Sequence, residues 1–396
     1  MVDYAQAPTA PAERVLELGG MVRRIDWVLM AAVCALVGVG LWAIAGITQN
    51  DIPGDPNYYV VRQGVFAALG SAGFFVALLV DPDLYRRHWR TVYGSLIGLL
   101  LLVLAAGEVT RGSKRWISIG FFRFQPSEFG KVLLVLALAG FLAGRAKRLN
   151  DAPTVIAALG LTALPWLLVL AEPDIGTSLV YVAALAAVLF VAGTRWLHLA
   201  LLGVAAIIAV VAVLWLLPSA GVDVLKQYQV NRITVFLHPN RDTGGDAYNL
   251  TQSKTAIGAG GFEGRGPNGA TVTKLDYLPE HATDFAFASY AEQRGFMGAA
   301  ILLGLYLLVV WRGLRIVAGA RDAFSAMAAG GIVFAFLFQV FVNVGMTIGI
   351  APITGIPLPF LSVGGSSMIS NLVAIGVLQA ICARSRANGR PRRSLY

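Results

Sequence analysis

Charge is what this sequence has least of. Of its 396 residues only 13% are Asp, Glu, Lys or Arg, about half the roughly 25% usual for a soluble domain. Beside 57% hydrophobic residues, that scarcity excludes a disordered chain or a coiled coil and argues against a water-soluble multidomain enzyme. Cysteine is nearly absent. Cys34 and Cys382 are the two present; they form no CxxC or metal set, exclude a disulfide scaffold, and read as small buried hydrophobes. No internal repeat is visible, so an inverted-repeat transporter lacks support. The formal net charge is +9. In a chain this apolar it points to membrane topology and anionic lipid, with no nucleic-acid partner.

What is present is a series of apolar runs of bilayer length. A spanning helix needs roughly 20 such residues, and ten segments qualify: 27–47, 62–80, 91–107, 128–144, 154–171, 176–193, 197–217, 285–311, 325–349 and 362–383. The expected fold is an all-α polytopic membrane protein of about ten transmembrane helices. A polar tail, 1–26, precedes the first span, with no signal-peptide cleavage pattern after it. The membrane domain runs over 27–383, and a basic tail, 384–396, follows. Even parity puts both termini on one side. Arg23 and Arg24, Arg86 and Arg87, Arg145 and Arg148, Arg312 and Arg315, and the C-terminal tail make that side cytoplasmic by the positive-inside rule.

The short connections leave one exception, a long structured outer loop, 218–284, between helices seven and eight. Loops of that length are usually functional or disordered. This one holds an amphipathic stretch, VLKQYQVNRITVFL, suited to the membrane interface, and a glycine-rich run, AIGAGGFEGRG, that permits close backbone approach. It ends in PEHATDF, which places Asp284 at the outer membrane boundary. Two readings of Asp284 stand: Thr283 or Asp284 caps the next helix, or Asp284 is a catalytic carboxylate.

Ionisable residues at membrane depth are functional candidates by default. Glu128 and Lys131 share a helix face and can pair. Glu172 and Asp174 bracket Pro173; they could hold a divalent cation (Mg or Mn), and a proline turn with a capping Asp explains them as well. Glu292 and Arg294 either face a hydrated cavity or mark a shallow segment, with the true span starting near Met297. Four basic residues, Arg111, Lys114, Arg115 and Arg123, occupy a short outer connection against the topology rule. They read as an interfacial anchor around Trp116 or as a cationic patch for an anionic lipid-linked group. Asp81-Pro82-Asp83 spells the D-x-D of sugar-nucleotide transferases, but at a helix end on the cytoplasmic side, where a turn explains it.

Together these motifs resemble the SEDS family (shape, elongation, division and sporulation), its elongation branch RodA more than its division branch FtsW. The resemblance runs from about residue 25 to 383. It rests on RQ at 62–63, GSKRWISIG at 112–120, FQPSEFGK at 124–131, AEPDIGTS at 171–178 and YQVNRITVFLHP at 228–239. It continues through YNLTQSKTAIGAGGFEGRG at 248–266, LPEHATDF at 278–285, NVGM at 343–346 and PITGIPLPFLSVGGSS at 352–367.

The resemblance implies a multi-pass protein of the bacterial cytoplasmic (inner) membrane that polymerises lipid II into peptidoglycan glycan strands, releasing undecaprenyl pyrophosphate, for cell shape and elongation. It implies Asp284 as the catalytic carboxylate. Arg62, Arg115, Trp116, Gln125, Glu128, Lys131, Glu172 and Asp174 match motif positions expected to line the substrate cavity; Lys114 and Glu280 join them as substrate contacts. The partners it implies are lipid II, the growing lipid-linked strand, and a class B penicillin-binding protein supplying the transpeptidase. Three positions depart from the family pattern. Ala282 stands where a His often precedes the Thr, Gln293 replaces the second acid of a Glu-Glu pair, and Val363 replaces a common Tyr. The alternative activity is a lipid II flippase, which requires buried charges along a path through the membrane.

Overall fold

The structure, a computed structural model, describes residues 20, 23–110, 113–120, 122–212, 232, 235–236 and 245–387. Among them, eight helices are long and apolar enough to cross a membrane, and two shorter apolar helices, Ile175–Val191 and Trp196–Ile208, bring the set to the ten expected. In chain order the elements are α1 (Trp27–Ile47), α2 (Tyr58–Leu79), the short α3 (Pro82–Arg87) and α4 (Trp89–Ala106). A small sheet follows, β1 (Glu108–Thr110), β2 (Ser113–Ile119) and β3 (Phe122–Phe124), then α5 (Pro126–Ala143), α6 (Ala152–Ala171), α7 (Ile175–Val191) and α8 (Trp196–Val211). Next come α9 (Gly245–Gly260) and two single turns, α10 (Gly266–Gly269) and α11 (Thr271–Lys274). Three long helices close the chain: α12 (Ala286–Ala318), α13 (Ala323–Ile348) and α14 (Gly365–Ala387).

The 48–57 and 349–364 connections meet at one end of the bundle, and Asp26, Arg312 and Arg386 meet at the other. α5, α13 and α14 are largely enclosed by other helices, whereas α1, α2, α4, α6 and α12 each expose a broad apolar flank. Exposed Phe75, Val76, Ile207 and Leu307 are the kind of surface that only lipid accepts. Small residues set the closest approaches between helices, as they do where lipid removes the hydrophobic drive for association. α2 lies on α14 through glycines: a Cβ on Gly70 would stand 2.6 Å from Leu372 Cδ1, and one on Gly376 only 2.5 Å from the Phe74 carbonyl oxygen. At the end opposite Asp284, Asp26 caps α1 by accepting from Leu29 N at 2.9 Å, pairs with Arg312 and Arg386, and its backbone exchanges two hydrogen bonds with the Gln379 side-chain amide. That knot joins the ends of α1, α12 and α14.

Several expectations are corrected. Cys382 is buried, but Cys34 is exposed on the bundle perimeter. The connection carrying the basic cluster is a three-stranded antiparallel sheet, ordered β1-β2-β3, with Ile117 opposite Phe124 and Glu108 opposite Trp116. The alternating SKRWISI segment suits such a pleated, half-buried surface. The eighth apolar run is broken. Its backbone leaves the helical region at Gly295 (φ 63, ψ −165), so a fully buried segment, 286–293, precedes a long one whose Phe296, Met297 and Ile301 face outward. Most of the expected amphipathic stretch 224–237 lies outside the described residues.

Glycine packing explains the break. Gly260, Gly264 and Gly295 let the turn after α9 press backbone to backbone on the kink; a Cβ on Gly264 would meet Arg294 Cα at 2.6 Å, one on Gly295 the Phe262 carbonyl at 2.6 Å. The amides released by the break are recaptured, Phe296 N by Gly261 O at 2.9 Å and Met297 N by Phe262 O at 3.2 Å. The glycine-rich run is therefore filled by the protein's own backbone.

Candidate active site

Asp284 sits at the end of the bundle formed by the connections 48–57, 172–174 and 349–364 and by the described residues of the β1–β3 sheet. The turn that presents it is built locally. Glu280, itself at φ 57, offers its carbonyl to the amides of Thr283 (3.1 Å) and Phe285 (3.2 Å), and its carboxylate accepts the Thr283 hydroxyl at 2.8 Å. α12 starts after this turn. Its N-cap position is Phe285, without a side-chain cap, so neither Thr283 nor Asp284 fills that place.

Three contacts fix the turn from the other side. Asn343 of α13, fully buried, donates to the Asp284 carbonyl at 2.9 Å and the Ile356 carbonyl at 2.7 Å. Ser362 donates to the Thr283 carbonyl at 2.5 Å, and Val363 N to the Ala282 carbonyl at 2.9 Å. The carboxylate points to Gly355. A Cβ at Gly355 (φ 73) would stand 3.4 Å from Asp284 Oδ2 and 3.5 Å from Arg232 Nη1, so the guanidinium of Arg232 and the carboxylate share one small space. Arg232, Asn343 and Gly355 lie in the YQVNRITVFLHP, NVGM and PITG motifs, yet the sequence reading singled out none of them. Those motifs were the available signal.

A second polar group lies beside the first, linked by the close packing of Gly176 on the Thr354 carbonyl and Ile356. Asp174 caps α7: its carboxylate accepts Thr177 N at 3.0 Å, the Thr177 hydroxyl at 2.9 Å and Gln125 Nε2 at 3.1 Å. Arg115 reaches from β2 to donate to the Glu172 carbonyl at 3.1 Å and to the Pro173 carbonyl. Glu172 is wholly buried, and both its carboxylate oxygens are without a hydrogen-bond partner. Deeper in α5, Lys131 donates to Glu128 at 2.8 Å and to Gln339 of α13 at 2.7 Å. A cavity of about 30 Å³ flanks that trio together with Ser370 and Asn371, room for one or two waters.

The expected residues thus fall into two connected groups, Glu280 with Asp284, and Arg115, Gln125, Glu128, Lys131, Glu172 and Asp174. Trp116 is half-buried on β2, and Lys114 on the same strand is exposed. Arg62 lies 5.2 Å from the Tyr58 ring centroid and donates to that residue's hydroxyl. Its neighbour Gln63 is the one that binds the 362–364 loop, through Ser362 O and Gly364 N. Glu292 is an anchor, its carboxylate accepting Val272 N and Thr273 N, each at 2.9 Å, and the Thr273 hydroxyl at 2.7 Å. Arg294 packs over the Trp42 ring at 3.4 Å. Among the described residues no group of three or more His, Cys, Asp or Glu is arranged to hold a metal. Glu172 remains the one carboxylate of that pair with oxygens unspent.

Residues 23–387 match the family model of cell cycle proteins that covers FtsW, RodA and SpoVE. The peptidoglycan glycosyltransferase MrdB of Escherichia coli K12 is 38% identical over 316 residues, 79% of this chain and 83% of that one. Stage V sporulation protein E of Bacillus subtilis is 35% identical over 367 residues, covering 91% and 98%. A chain solved within a peptidoglycan synthase complex that coordinates polymerization and crosslinking superposes with TM-score 0.77 at 30% identity, over 90% of this chain and 97% of that one.

Proposed function

The chain belongs to the SEDS family of FtsW, RodA and SpoVE proteins, and from that premise we propose that it is a peptidoglycan glycosyltransferase with Asp284 at its catalytic centre. The relatives named for an activity are glycosyltransferases, which leaves the flippase reading without support. The observation that carries the site assignment is the Asp284 turn. Asn343, Ser362 and Val363 hold it from outside, and its carboxylate shares a space with Arg232 beside a residue without a side chain.

In this reading Asp284 faces the outer side of the inner membrane, with both termini cytoplasmic. It accepts the proton of the acceptor hydroxyl on lipid II, a contribution of about 10²–10⁴-fold. The freed oxygen bonds the reacting sugar carbon of the growing strand. The bond from that carbon to pyrophosphate breaks, and its electron pair leaves with undecaprenyl pyrophosphate. Positive charge is needed where the leaving group develops its own. Arg232 supplies it beside Asp284 and Lys114 at the rim, while Arg115 and Lys131 act by fixing the cavity wall. Glu172, whose carboxylate oxygens have no hydrogen-bond partner, would be the residue to hold Mg or Mn, cations that take oxygen ligands. When bound, the cation would neutralise the leaving group. Holding both lipid-anchored reactants in one groove provides the proximity term. A class B penicillin-binding protein would add crosslinking, as suits a chain similar to one from a complex that does both.

Reconstitution with lipid II tests the reading. Wild type should yield glycan polymer and Asp284→Asn none; polymer made equally by both would overturn it.

A further inference from the structure

His281 lies three residues before Asp284 and is buried to 9% exposure. Its Nε2 faces the carboxylate of Asp51, at 3.1 and 3.2 Å, from the connection between α1 and α2. Its Nδ1 faces the Leu278 carbonyl at 3.1 Å and the Asp276 carboxylate at 3.3 Å. Carbonyl and ionised carboxylate oxygens only accept. Neither ring nitrogen has a donor before it, so the arrangement is made for an imidazolium with a proton on each. Asp276 (φ 55) and Glu280 (φ 57) flank this ring in the left-handed region, which non-glycine residues keep only where their surroundings enforce it.

The far side of the same segment is held by uncharged contacts, Ser362 to Thr283 and Val363 to Ala282. The near side depends on the bridge to Asp51. We propose that His281 is a positioning residue: protonated on both nitrogens, it bolts the segment carrying Asp284 to the α1–α2 connection, and loss of its proton loosens Asp284 and slows polymerisation. This rests on the reading of Asp284 as catalytic.

The charged groups facing the ring are Asp51 from the α1–α2 connection and Asp276 on its own segment; the Glu280 carboxylate nearby takes the Thr283 hydroxyl. Burial pulls the His281 pKa down. The hydrogen bond and charge of Asp51, the charge of Asp276 and the Leu278 carbonyl outweigh it and hold the value above the ordinary 6.5. A raised folded-state value means the bolt is fully set below about 6.5 and is lost as pH rises through the higher value. The sign therefore predicts an alkaline loss of activity, opposite to what titration of a general base alone gives.

The experiment is a pH–rate profile of the full chain in phosphatidylethanolamine–phosphatidylglycerol vesicles with lipid II. In wild type kcat should fall on the alkaline limb while KM stays within about two-fold, a misplacement cost rather than a binding cost. Asp51→Asn should keep the acid-side rate and move the alkaline limb down by roughly 1 pH unit, the size of a single near charge. His281→Gln should abolish the limb. Superimposable profiles for the three proteins overturn the proposal. Should His281→Gln fail to fold, ¹⁵N-histidine NMR of wild type and Asp51→Asn decides without turnover. One histidine protonated on both nitrogens past pH 6.5, shifted down by Asp51→Asn, sustains the proposal; none doing so sinks it. Polymer from Asp284→Asn would defeat the catalytic reading while leaving this titration intact.

Discussion

Asn343 fastens two backbone carbonyls with one amide, and one of them belongs to Asp284. Replacing it by Ala removes the donor that both carbonyls share, a loss of about 1–3 kcal/mol. It also frees the turn to shift, and a 1 Å misplacement of a reacting group is worth about 10²-fold in rate. Asn343→Ala should therefore lower kcat on lipid II by about 10²-fold with KM little changed, measured beside a thermal melt that shows the protein still folded. At this scale the sequence was readable where partners are near neighbours. Glu128 and Lys131 could be paired from their spacing on one turn. The third member, Gln339, is 208 residues from Lys131, and Asp51 is 230 from His281; no local pattern links such pairs. The helix start falls at Phe285 because the Glu280 carbonyl captures the amides of Thr283 and Phe285.

Among the elements, apolar run length placed most span ends to within a few residues, because the bilayer sets a minimum length, although α12 runs to Ala318, well past its expected end at 311. The break in α12 is marked in the sequence by Glu292 and Arg294, just before Gly295, but its geometry is not. The break depends on Gly295, whose φ of 63 and ψ of −165 only glycine adopts readily, and on the glycines opposite. Gly295→Ala should strain the kink by roughly 1–3 kcal/mol and lower the Tm accordingly; an unchanged Tm would show that α12 can run straight. The sheet escaped because strands of three residues are too short for alternation to register. Only β2, with seven residues, carries a legible pattern.

For the whole molecule, the ten-helix plan and the gathering of motifs at one end follow from sequence, while the order in which helices touch does not. α2 and α14 meet along glycines, and Arg384 of α14 donates to the Val80 carbonyl at 2.8 Å across 304 residues. Gly376→Val puts side-chain atoms where the Phe74 backbone stands; overpacking of that kind is worth about 1–3 kcal/mol. A lowered Tm with polymerisation lost in proportion to the folded fraction is the expected outcome, read by melting and by assay on the same sample.

The α2–α14 seam also has a consequence in time. Nascent spans enter the membrane in order, and the glycine face of α2 emerges near the beginning while its partner emerges last. Until α14 arrives, Gly70 and Gly73 have only lipid against them, and the 362–364 loop that Gln63 binds does not yet exist. The end that carries Asp284 is therefore assembled at the close of synthesis, and a ribosome that stops before Gly365 releases a chain with its earlier spans inserted and that end unbuilt.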